Sequence, residues 1–216
     1  MNSPVHSSFF FLGEQLCLDF VNTQKAGAGG PLELLATFDD LIDWLIQAQV
    51  LEPGAAQAAL KRWGGRREGV RVLAQARTLR AALRVMAERL AQGKSILPTT
   101  AKAINAVLAV QRTSVRLALN RGAYEQRREI ELKQPLQLLV PIAEAAADLV
   151  AHGDHSLVKK CGNPTCILYF YDTTKNHRRL WCSMAVCGNR MKAAAHYRRS
   201  RRQKRAPDSK TRSGNN

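Results

Sequence analysis

The chain has 216 residues, 45% of them hydrophobic, and a formal net charge of +16. From Leu157 onward, fifteen Lys/Arg face only Asp172 and Asp208, a net of +13, whereas the first 156 residues carry a net of +3. The length suits one ordinary domain with a small appended module, and no apolar run reaches the roughly 18 residues of a membrane span.

The opening MNSPVHSSFFFLGEQL has no basic start followed by a long apolar stretch, so no secretory leader is expected and the cytoplasm is the expected location. Residues 10–22, FFLGEQLCLDFVN, read as two short strands around Gly13 and Glu14, because Leu16, Leu18 and Phe20 alternate with Cys17 and Asp19. Cys17 is then a small, inert hydrophobe. Asp19 and Asn22 either cap the strand or line a pocket for a small-molecule effector. KAGAGGP (25–31) is expected as a loop, and without a following Lys-Ser or Lys-Thr it is no phosphate loop.

Helical patterns follow. Thr37 is a candidate N-cap, with Leu41, Trp44, Leu45 and Ala48 on one face behind it. A short helix opens at Glu52-Pro53 and closes near Gly64-Gly65. A long one runs from about Glu68 to Gln92 with Val72, Leu79, Leu83, Val85, Met86 and Leu90 on its apolar side. Pro98 starts another, through Leu108. SVRLALN and EIEL, separated by Asn120-Arg121-Gly122, predict a hairpin. QPLQLLVPIAEAAADLVAHG predicts one helix bent at Pro141. Residues 1–156 are therefore expected to form a helix-rich α+β domain with small hairpins. They hold no Ser/His/Asp or paired-carboxylate arrangement on which an enzyme mechanism could be built.

The block 161–190, CGNPTCILYFYDTTKNHRRLWCSMAVCGNR, contains four of the five cysteines as two C-x4-C pairs. Structural zinc takes four ligands as two close pairs, and reduced thiols so clustered point to a metal rather than disulfides. Cys161, Cys166, Cys182 and Cys187 are the expected ligands of one structural Zn2+, with no open coordination position. ILYFYD and HRRLWC are expected to pair as a hairpin with TTKN at its tip and His177 off the metal. NRMKAAAHYRRSRRQKR, without Gly or Pro, predicts a helix. Turn, hairpin, turn and helix make up the treble-clef plan. So short a segment cannot bury enough apolar area to fold unaided, and metal binding supplies the difference.

CGNPTC, FYDTT, RRLWCSMAVCGNR and the basic helix behind them resemble the CGNR zinc finger. FLGEQLCLDFVNT resembles the start of the ABATE domain that precedes this finger in bacterial proteins described as stress-induced transcription regulators. The resemblance implies the same four zinc ligands and a DNA-binding regulator. It divides the chain into an ABATE-like domain (1–156), the finger with its helix (157–205) and a disordered tail (206–216).

At 100° per residue from Cys187, Met191 and Ala194 return to the metal side and Asn189, Lys192, His196, Arg199 and Gln203 face outward. Lys192, His196 and Arg199 are the expected groove contacts. Arg198, Arg201, Arg202, Lys204 and Arg205, with Arg178 and Arg179, are expected at phosphates. Arg190 either braces the zinc turn or contacts nucleic acid. The expected partner is nucleic acid, duplex DNA before RNA, and no membrane. The first domain is left to sense an effector or to form a homodimer.

Overall fold

The structure is a computed structural model that describes residues 9–27, 29–111, 113–120, 122–130 and 132–205. The expected tail, 206–216, lies outside these residues.

A short helix α1 (Leu16–Val21) is followed by a small antiparallel pair, β1 (Gln24–Gly27) and β2 (Gly30–Glu33). Both differ from the expectation of strands over 10–22 and a loop at 25–31. Alternation misleads here because α1 is enclosed on every side: Cys17, Leu18, Asp19, Phe20 and Val21 are all buried. An apolar run with no solvent face carries no period that separates strand from helix. At Gly13 a Cβ would meet Asp19 N at 2.7 Å and Leu18 C at 2.9 Å, so only glycine lets the incoming chain lie against α1.

Helix α2 (Phe38–Gln47) begins as expected at Thr37. Asp40 N donates to Thr37 Oγ1 at 3.2 Å and Thr37 N donates to Asp40 Oδ2 at 2.7 Å, a closed capping box. Helix α3 (Pro53–Trp63) stops at Gly64, and α4 (Arg67–Ala91) and α5 (Pro98–Leu108) follow. α4 is the central helix, in contact with α1, α2, α3 and α5. Val72, Leu79, Leu83, Met86 and Leu90 of α4 are buried, but Val85 is 38% exposed, one step off the core stripe.

Strands β3 (Thr113–Asn120) and β4 (Ala123–Ile130) form the expected hairpin, with Asn120 opposite Ala123. Pro141 does not bend a helix. A 3-10 segment (Pro135–Leu139) comes first, and Pro141 sits in the first turn of α6 (Val140–His152). A missing N–H costs nothing there. No helix among the described residues is long and apolar enough to cross a membrane.

The last region departs from the expected hairpin. β6 (Tyr169–Tyr171) pairs with β5 (Val158–Lys160), upstream of the first cysteine, and not with 177–182. A π-helical turn, Met184–Gly188, runs directly into α7 (Asn189–Arg205). The chain thus has a helix-rich region with small antiparallel hairpins and a C-terminal four-cysteine cluster. A large apolar core unites α1–α6 and reaches Val158 and Tyr169. A second, small one holds Leu168 and Phe170 with Cys161, Cys182 and Cys187.

Candidate metal centre and basic helix

The sulfurs of Cys161, Cys166, Cys182 and Cys187 all lie within 4.8 Å of one another, and none is in a disulfide. Cys166 Sγ and Cys182 Sγ are 3.9 Å apart. A tetrahedral zinc with Zn–S bonds of about 2.3 Å has sulfur–sulfur edges of about 3.8 Å, so the set fits zinc.

The local sequence explains how two distant pairs converge. Cys161-Gly162-Asn163 and Cys187-Gly188-Asn189 are the same tripeptide used at two turns. Both glycines lie against Trp181: a Cβ at Gly162 would come within 3.2 Å of its ring, and one at Gly188 within 3.1 Å. Asn163 is buried and joins the two pairs. Its Oδ1 accepts from Thr165 N at 3.2 Å, holding the first turn, while its Nδ2 donates to Cys187 Sγ at 3.4 Å. Cys182 N donates to Cys161 Sγ, also at 3.4 Å. Donors aimed at sulfur favour the thiolate, which is the form that binds metal.

Protonation within the set is unequal. Hydrogen bonding from Cys182 brings the Cys166 thiol down to about 5, and the same pairing pushes Cys182 upward. Metal binding releases the remaining protons. The fifth cysteine is of another kind: Cys17 is fully buried, burial pushes its thiol up to about 12, and it is chemically quiet.

The loop 172–182 is organised by one carboxylate. Asp172 is fully buried and accepts from Lys159 Nζ at 2.5 Å, Thr174 Oγ1 at 2.6 Å and Arg179 N at 2.9 Å. Burial alone would raise its pKa, but these donors outweigh it and hold the carboxyl well below the usual range. His177 closes the turn, its N donating to Thr174 O at 3.0 Å, and it stays off the metal set as expected.

Arg179 is placed differently from its expected phosphate role. Its guanidinium donates to Leu12 O at 3.1 Å, Glu14 Oε1 at 3.1 Å, Trp181 O at 3.0 Å and Cys182 O at 2.5 Å. It also lies 4.4 Å from the Phe170 ring centroid. This side chain ties the metal turn to the N-terminal segment.

Asn22 and Asp19 have internal partners too. The fully buried Asn22 amide donates to Tyr169 O at 2.8 Å and accepts from Tyr169 N at 3.0 Å, doing for β6 what a neighbouring strand would do. Asp19 accepts from Gly13 N at 2.7 Å, and burial raises its carboxyl to about 6. Gly13 O in turn accepts from Tyr171 N at 2.8 Å. From α4, Arg84 bridges Val21 O and Ile167 O at 2.7 and 3.0 Å. The sequence places Asn163 in the first metal turn but gives no sign of its bond to Cys187, and the roles of Asp172, inside FYDTT, and Arg84 were overlooked.

Helix α7 continues from the last ligand. Lys192, His196, Arg198, Arg199 and Arg201 are exposed, whereas Met191, Ala195 and Ser200 are half-buried. The inward positions after Cys187 are therefore Met191 and Ala195, with Ala194 exposed. The side chains of Arg202, Lys204 and Arg205 lie outside the described residues. Arg178 is exposed at the edge of the metal loop. Arg190 is exposed as well and lines a cavity of about 160 Å³ beside Cys166 and Cys187, across from Lys25.

Two family models match the chain. Residues 14–153 match ABATE, described as "Putative stress-induced transcription regulator", and residues 158–200 match the CGNR zinc finger. No curated protein matches it. Neither family description is enzymatic, and the four ligands lie inside the second match. The chain belongs to the ABATE family and carries a CGNR zinc finger whose four clustered cysteines, Cys161, Cys166, Cys182 and Cys187, can bind a zinc ion.

Proposed function

We propose that this protein is a transcription regulator that binds duplex DNA through α7, with the zinc site ordering the turn from which that helix departs. The observation that carries the reading is the continuity of Cys187 with an exposed helix whose described charged side chains are all basic. A helix about 10–12 Å across fits the major groove, and exposed polar side chains reach base edges from it. Lys192, His196 and Arg199 take the groove-contact role. Arg178, Arg198, Arg201 and Arg202 take phosphates, and Arg179 is left out because its guanidinium is turned onto the protein itself.

The N-terminal region positions the finger through Asn22, Gly13 and Arg84 rather than offering Asp19 and Asn22 to a ligand. An effector is better placed in the cavity of about 260 Å³ bounded by Leu51, Ala55, Leu138 and Pro141.

Fluorescence anisotropy with labelled duplexes tests the reading. Binding is expected at about 50 mM salt, and log K should fall against log[salt] with a slope of about −3 to −4 for the four phosphate contacts. Absence of binding to any duplex at that salt rejects it. Stronger binding to RNA in competition transfers the role to RNA.

A further inference from the structure

Beside the basic helix the metal loop presents apolar side chains to solvent. Leu180 is 64% exposed and Met184 50% exposed, on either side of the buried ligand Cys182. Hydrogen bonds hold the backbone that carries them. Gly162 N donates to Leu180 O at 2.8 Å, and Arg179 holds the carbonyls of Trp181 and Cys182. Cys187 N and Gly188 N both donate to Ser183 O at 3.0 Å. Leu180, Met184 and the half-buried Trp181 face one broad groove of about 500 Å³. The other residues lining it, Lys175 and Arg178 among them, include no acidic group.

An apolar ridge with a cationic rim suits a partner that is anionic outside and apolar within, and a base-paired duplex has that layering. Proteins that bend DNA insert Leu or Met between base pairs while Arg and Lys hold the flanking phosphates. We propose that Leu180 and Met184 form a wedge that enters a base step of the bound duplex and bends it, with Lys175 and Arg178 gripping the adjoining phosphates. The wedge rests on the duplex-binding reading and adds deformation to it. Flexible pyrimidine–purine steps are its preferred entry points, because they open at least cost.

The test uses the full-length zinc-loaded protein and short duplexes with 2-aminopurine at TA steps and donor and acceptor dyes at the ends. Wild-type protein is expected to raise 2-aminopurine emission and shorten the dye separation on binding. Leu180→Ala with Met184→Ala should lose both signals while keeping its zinc and its salt slope. Lys175→Ala and Arg178→Ala should each weaken binding and reduce the magnitude of that slope by about 1. Wild-type binding with no change in either signal overturns the wedge and leaves duplex binding intact, whereas no binding removes both. Docking of wild type, but not the double variant, onto phosphatidylserine vesicles, with no unstacking of DNA, overturns the proposal in favour of a lipid surface.

Discussion

Replacing Asn22 with Ala removes the two hydrogen bonds that hold Tyr169 of β6 against α1. Both residues are buried, Asn22 at 0% and Tyr169 at 3% exposure, so water does not reach the Tyr169 N–H and C=O left behind. Each unsatisfied backbone group costs about 1–3 kcal/mol, which puts the expected loss for the two at about 2–6 kcal/mol. That is a large part of the roughly 5–15 kcal/mol typical of a folded domain. Urea unfolding in zinc-containing buffer, followed by circular dichroism, reads it as a lower midpoint. Asn22→Asp keeps the shape but loses the donor and sets a charge against a carbonyl, so at least as large a loss is expected. A loss below about 1 kcal/mol for Asn22→Ala, with disappearance of a ligand-induced melting shift, would refute the bracing role and return Asn22 to a pocket.

Further outcomes follow from the same contacts. Cys182→Ser should abolish zinc binding, read as loss of the single metal per chain in elemental analysis, and should keep the α2–α6 helical signal at a lower melting temperature. Asp19→Asn probes a carboxyl that burial raises to about 6. A raised acid contributes stability that is complete below its unfolded pKa of about 3.9 and is lost as pH rises through the folded value. Wild type should therefore lose stability relative to the variant between about pH 4 and 7, by up to ~3 kcal/mol for a two-unit shift. The difference in unfolding midpoints across that range checks this, since zinc loss at low pH is common to both proteins. Arg179→Ala should destabilise the zinc module, and Arg178→Ala should weaken DNA binding alone; thermal melts and anisotropy separate the two.

How much was legible in the sequence depended on whether a signal was local. The zinc ligands were readable because spacing and thiol chemistry together constrain the answer. Thr37, Pro98 and the 113–130 hairpin were readable because caps and turns act over three or four residues. Helix α1 was not, because a segment buried on all sides has no polar face to set a period. The β5–β6 pairing was missed because β5 precedes the first cysteine and its three residues, VKK, carry no strand pattern. Arg179 resembled its neighbour Arg178 in sequence. Its separate role depends on Leu12 and Glu14, more than 160 positions earlier.

The bridges at Asn22, Gly13, Arg84 and Arg179 make the finger part of the fabric of the whole chain rather than a bead on a tether. An excised finger would begin with raw edges where residues 12–22 had covered it, so grafting it onto another protein requires that stretch as well. By linkage, the free energy of metal capture is shared by every element those bridges reach. Chelation should therefore loosen α1, some 140 residues away in the chain from the nearest ligand.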